Sequence, residues 1–258
     1  MAWALTAAAM TLPGCSIAVT SLHTPRPTTP AHATAAQPGT SPPGSRARSG
    51  PVPTAASTAP AAPPALAASP GSGPGRFPPT AAGVLTGNTV TVDPGHNGGN
   101  AAAPAIINRP VWNGRETETC DTTGTQTDGG YTEALFNWNV ARYLTADLRA
   151  EGATVVLTRT TNTGIGPCVT QRAAIGNRAH ADAAVSIHAD GGPPGGRGFA
   201  ILEPVADGIN NAIIGPSARL ATDLRDAFAA GTGEPVSSYD GTNGIQPRDN
   251  LAGTNLST

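Results

Sequence analysis

Lysine is absent from this 258-residue chain: all fifteen cationic side chains are arginine, none of them in a run, and the formal net charge is −2. That excludes the clustered basic surface needed to hold phosphate backbones, so no nucleic-acid partner is expected. The missing lysine reads as a GC-rich coding bias. Large apolar residues are nearly missing from about Thr20 to Thr80, where Ala, Pro, Thr, Ser and Gly are interrupted only by Arg26, Arg46, Arg48 and Arg76 as charges. Such a stretch cannot bury enough surface to offset the roughly 1–2 kcal/mol per residue of backbone ordering entropy. It is expected to be a disordered, partly polyproline-II tether. No Cys-x-x-Cys pair is present, which argues against a thiolate metal site. No internal repeat is visible.

The first fifteen residues, MAWALTAAAMTLPGC, are apolar and end in small residues. They suit the h-region of a secretory signal and are too short to cross a bilayer in the ordinary way. Leu12-Pro13-Gly14-Cys15 resembles a bacterial lipobox, although proline is unusual there and the positive n-region is missing. Two readings stand: Cys15 is lipidated and supplies the sole membrane contact, or the segment is an ordinary cleaved signal and the cysteine is incidental. The chain thus divides into a signal or lipobox segment over 1–15, a tether over 16–84 and a folded domain over 85–258. Export places Cys120 and Cys168 in an oxidising compartment, where the two thiols are expected to pair. Closing that loop stabilises a fold by about 4 kcal/mol on the chain-entropy account.

Within the domain, Thr89-Val90-Thr91-Val92 alternates and runs into Asp93-Pro94-Gly95, which ends a strand and leaves His96 just past it. Phe136, Val140, Leu144 and Leu148 recur in four-residue steps after Thr132, and Glu151-Gly152 supplies a helix stop. Glu133 shares the face of Val140 and Leu144, toward the core. Strands are predicted at 153–158, 182–187 and 199–205, and helices at 169–179 and 217–230. Strands alternating with helices predict an α/β fold, a three-layer arrangement of a twisted, mostly parallel sheet with helices on both faces, its site beyond the carboxyl ends of the strands.

His96, Glu133 and His188 would then meet at one end of that sheet. Two imidazoles and one carboxylate leave a tetrahedral zinc with one open position, the catalytic pattern. Singly, each residue has a plainer reading: His96 as a loop histidine, Glu133 as a helix-opening carboxylate favoured by the dipole, and His188 as an imidazole partnered by a carboxylate such as Asp190. Asp93 and Asp190, each near a ligand histidine, are expected to accept an imidazole N–H. His180 is expected to be solvated, and Arg172 and Arg178 to pair at the surface, the alternative being that an arginine facing the cleft holds a stem-peptide or muramic carboxylate bidentately.

Taken together, DPGH, the helix-opening glutamate and SIHAD resemble the zinc-dependent N-acetylmuramoyl-L-alanine amidases of the amidase type 3 family, over about Val90 to Asn255. NGGN after His96, the two loop cysteines, NWNVA, QRAAIGNRA and GRGF are similar to the mycobacterial cell-wall subgroup with its inserted loop. The resemblance implies His96, Glu133 and His188 as zinc ligands and a peptidoglycan substrate. It implies hydrolysis, by zinc-activated water, of the amide between N-acetylmuramic acid and the L-alanine of the stem peptide, in the cell envelope. It also implies a proton-carrying glutamate on a last strand, followed by a closing helix. Arg248 to Leu256 resembles the stretch preceding that strand, so the glutamate is expected beyond Thr258 and the last strand and helix are expected to be missing. Glu203 and Glu234 do not replace it. The alternative is a catalytically inactive, truncated wall-binding or regulatory lipoprotein that keeps the amidase fold.

Overall fold

The computed structural model describes residues 15–21, by their backbone, and residues 83–258. In chain order the strands are β1 (Cys15–Ser21), β2 (Thr89–Pro94), β3 (Pro110–Trp112), β4 (Thr117–Thr119), β5 (Thr154–Leu157), β6 (Ala183–His188), β7 (Phe199–Pro204) and β8 (Ile245–Arg248). The α-helices are α1 (Pro104–Ile107), α2 (Glu133–Ala150), α3 (Val169–Arg178), α4 (Ile214–Thr232) and α5 (Ala252–Asn255). Among the described residues, no helix is long and apolar enough to cross a membrane.

Six strands form one sheet in the order β5-β2-β6-β1-β7-β8, and β3 and β4 form a separate antiparallel hairpin. All pairings in the large sheet are parallel except β6 with β1. Alternation sets its two faces. Val92 lies opposite Val185, and these side chains join Val90, Ile187 and Val155 under Val140, Leu144 and Leu148 of α2. Phe199 and Ile201 pack under Leu220, Leu224 and Phe228 of α4, and Val185 touches this cluster too, so α2 and α4 cover one face. The opposite face, with Thr91 beside Ala184 and Asp93 beside Ser186, looks toward α3 and α5 across a cavity of about 410 Å³ that reaches His96 and His188. The three layers expected from the sequence are present.

Local signals explain the element ends. The Thr132 side chain accepts the Leu135 N–H at the start of α2, and Gly152, just past the helix, adopts φ +92°. The proline that halts β2 is its last residue, which leaves Gly95 and His96 in the following turn.

One expectation is corrected. Residues 16–21, placed by composition in a disordered tether, form β1 together with Cys15. Ser16 lies opposite His188 on one side, and Cys15 opposite Phe199 on the other. Strands β6 and β7 run in opposite directions, and without β1 each would present an open edge of unpaired N–H and C=O groups. The β-branched residues of CSIAVTS suit that slot, but seven residues beside a Pro/Ala-rich stretch carry too weak a pattern to stand out. Residues 1–14 and 22–82 of the expected leader and tether, including His23 and His32, lie outside the described residues. The sequence pattern also missed β8, an edge strand whose Pro247 masks it, and the β3–β4 hairpin.

Candidate metal centre

Three chain segments bring His96, Glu133 and His188 together at the rim of the sheet. The turn after β2 presents His96, the first residue of α2 is Glu133, and the last residue of β6 is His188. One ligand atom from each lies within 4.8 Å of the others. Glu133 Oε1 is 3.2 Å from His96 Nε2 and 2.9 Å from His188 Nδ1, and the two imidazoles meet edge to face at 4.9 Å between centroids. Zinc bonds of about 2.0–2.1 Å at tetrahedral angles require ligand atoms about 3.3 Å apart. The donor set and its spacing therefore fit a zinc ion.

Glycines make the convergence sterically feasible. A Cβ on Gly95 would sit 2.3 Å from the His188 ring, and one on Gly124, at φ +71°, would sit 2.7 Å from the His96 ring and 2.9 Å from Glu133 Oε2. Glu133 is 3 % exposed, and its Oε2 accepts the Thr125 backbone N–H at 2.9 Å. Burial opposes its ionisation, but the bonds to His188 and His96 and their charges outweigh this and hold its carboxyl far below the ordinary range. Burial likewise works to lower the His96 pKa, yet bonds to Asp121 and Glu133 and their charges raise it to about 9. Both shifts come from the pairing of the imidazoles with buried carboxylates.

His96 itself adopts φ +57°, a left-handed conformation that costs a non-glycine residue about 1 kcal/mol or more. Two buried arginines hold the turn there. Arg159 donates to the carbonyls of Pro94 at 2.8 Å and Gly95 at 3.3 Å, and it lies over the Trp138 ring at 5.3 Å. Arg172 donates to the carbonyls of Pro94 at 2.9 Å and His96 at 3.1 Å. Burial and the neighbouring Arg172 charge lower the Arg159 pKa to about 10, so Arg159 stays protonated at neutral pH.

The residues around the ligands differ from expectation. Asp93 does not reach an imidazole: its carboxylate accepts from Arg172 Nη1, Ser186 Oγ and Thr158 Oγ1. Strand alternation turns it onto the α3 face, whereas His96 lies beyond the turn. Asp190 lines the cavity beside His188, but among the described residues it is Glu133 that faces the His188 ring nitrogen. The partner of His96 Nδ1 is instead Asp121 Oδ1, at 3.2 Å, a residue the sequence did not single out. Arg172, expected at the surface, is 5 % exposed and bridges Asp93 and Asp121. Its helix shows why: Arg172 shares the buried face of α3 with Ala173 and Gly176, small residues that leave room for a guanidinium. Cys120 and Cys168 are joined in a disulfide as expected, and His180 is exposed as expected.

Comparisons with known proteins agree with this geometry. The model of a family described as N-acetylmuramoyl-L-alanine amidase matches residues 90–254. An N-acetylmuramoyl-L-alanine amidase of Mycobacterium tuberculosis is 42 % identical over 173 residues, spanning 67 % of this chain and 70 % of that protein. The crystal structure of the N-acetylmuramyl-L-alanine amidase Ami1 from Mycobacterium smegmatis aligns with a TM-score of 0.62 at 41 % identity, over 67 % of this chain and 79 % of that one. The apo form of Ami1 from Mycobacterium abscessus aligns with a TM-score of 0.63 at 42 % identity, over 67 % and 80 % of the two chains.

Proposed function

This chain belongs to the amidase type 3 family of N-acetylmuramoyl-L-alanine amidases, and from that premise we propose that it hydrolyses peptidoglycan between N-acetylmuramic acid and the L-alanine of the stem peptide. We propose zinc as its cofactor, with His96, Glu133 and His188 as ligands. The observation that carries this reading is the convergence of those side chains within 4.8 Å at the sheet rim. Zinc held there supplies Lewis acidity toward the scissile carbonyl and a water nucleophile at neutral pH. Glu133 lends a negative charge that offsets the cation, and the Thr125 N–H fixes its second oxygen. His96, Arg172 and His188 all line the cavity, so the muropeptide is expected to bind there.

Export to the cell envelope belongs to the same proposal, by a cleaved signal or a lipid anchor at Cys15. The Cys120–Cys168 disulfide supports an oxidising compartment. One observation favours the inactive wall-binding reading as the alternative. Asp93 and Asp121, two of the carboxylates that line the cavity, are both ion-paired to Arg172, which keeps them ionised and without a proton for a leaving amine. The test measures zinc content and release of peptides with a new N-terminal alanine from purified sacculi, for wild type and His188→Ala. One bound zinc and peptide release in wild type, both lost in the variant, support the amidase. Binding to sacculi without release supports the alternative, and failure to bind zinc overturns the zinc-amidase reading.

A further inference from the structure

We propose that Asp121 is a positioning residue that sets the tautomer and orientation of His96 for metal binding, an inference that rests on the zinc-ligand reading above. His96 offers two ring nitrogens. Nε2 faces Glu133 Oε1 at 3.2 Å, while Nδ1 faces Asp121 Oδ1 at 3.2 Å. Both nitrogens thus face groups that only accept hydrogen bonds; a cation bound beside Glu133 would take the Nε2 lone pair in place of a proton, while Asp121 would keep the proton on Nδ1. The Thr122 carbonyl also faces Nδ1 at 3.2 Å, which makes the tautomer the same. Asp121 adds a negative charge that raises the basicity of the ligating nitrogen.

The carboxylate is held in place for this role. Asp121 is 5 % exposed; its Oδ1 also accepts the Thr122 N–H at 2.7 Å, and its Oδ2 accepts Arg172 Nη2 at 3.2 Å. Its backbone is pinned too. Cys120 N donates to Arg109 O at 2.7 Å, Asp121 N to Ile107 O at 3.1 Å, and Val169 N to Cys120 O at 2.8 Å, beside the Cys120–Cys168 bond. The carboxylate and the helix carrying Arg172 are therefore tied to one point of the chain.

The test compares zinc dissociation constants of wild type, Asp121→Ala, Asp121→Asn and Asp190→Asn by competition with a chromophoric chelator. Each variant is oxidised and checked for folding by near-UV circular dichroism. Loss of a carboxylate behind a ligating histidine weakens metal binding about 10–100-fold, which is the result expected for Asp121→Ala. Asp121→Asn keeps an acceptor and loses the charge, so about tenfold is expected, and it carries the test if the alanine variant does not fold. Asp190→Asn is expected to match wild type. Nitrogen-15 NMR of the zinc-loaded ring should show a slowly exchanging Nδ1 proton on His96 in wild type and its loss in Asp121→Ala; a purely structural role would lower the melting temperature alone. Unchanged zinc affinity in folded Asp121 variants overturns the inference, whereas a wild type that binds no zinc overturns the ligand assignment beneath it.

Discussion

Replacing Arg172 with methionine should damage this protein more than any other single change to its polar residues. The guanidinium makes five hydrogen bonds: to the carbonyls of Pro167, Pro94 and His96 and to the carboxylates of Asp93 and Asp121. Breaking a buried ion pair by removing one partner costs about 3–5 kcal/mol, because the stranded charge stays behind. Here two carboxylates are stranded, and Asp121 is only 5 % exposed, so the upper end, about 5 kcal/mol, is expected. For a folded unit of this size about 1 kcal/mol shifts the melting temperature by about 2–4 °C, which gives a fall of about 10–20 °C. Arg172→Lys keeps the charge but not the fork, and should recover about half of the loss. Urea unfolding of the oxidised, metal-free protein measures this directly. Adding Asp93→Asn to Arg172→Met removes one stranded charge, so the double variant should be more stable than the sum of the single losses implies. A loss below about 1 kcal/mol for Arg172→Met, or strictly additive losses in the cycle, would refute the network account.

Two further outcomes follow from neighbouring features. The Cys120–Cys168 bond spans a sequence separation of 48, so the Cys120→Ser/Cys168→Ser protein should lose about 4 kcal/mol of stability; it should also bind zinc more weakly, in the same direction as Asp121→Ala. Thiol titration of the unfolded, unreduced wild type should find neither of these cysteines free, and detection of both would remove the disulfide. Burial alone would raise the Asp93 pKa, but Arg172, Thr158 and Ser186 lower it below 3.8. A depressed carboxylate contributes stability above its unfolded value and loses it as pH falls through the folded one. The urea midpoint of wild type should therefore exceed that of Asp93→Asn near neutral pH and converge on it in acid below 3.8; a gap that widens in acid would contradict the assignment.

How far the sequence discloses the site depends on where each residue's constraint comes from. His96, Glu133 and His188 stand at element boundaries that short patterns mark: a proline-stopped strand, a threonine-capped helix and the end of an apolar strand. Their positions follow from local chemistry plus the rule that strand ends converge, so all three were legible. The residues that orient them were not, because Arg172 reaches Asp121 across 51 positions and Asp93 across 79, and no local pattern encodes such a meeting. Asp93 illustrates the limit. Proximity in sequence to His96 suggested an imidazole partner, yet the same alternation that revealed β2 puts Asp93 on the face away from Val92, beside Ser186. Applied strictly, that alternation assigns Asp93 to the sheet's own buried network and leaves the ring of His96 in need of another carboxylate. The aspartate following Cys120 meets that need because the disulfide carries its backbone to the mouth of the turn. Covalent closure thus helps convert a distant, pattern-free residue into a fixed neighbour of His96.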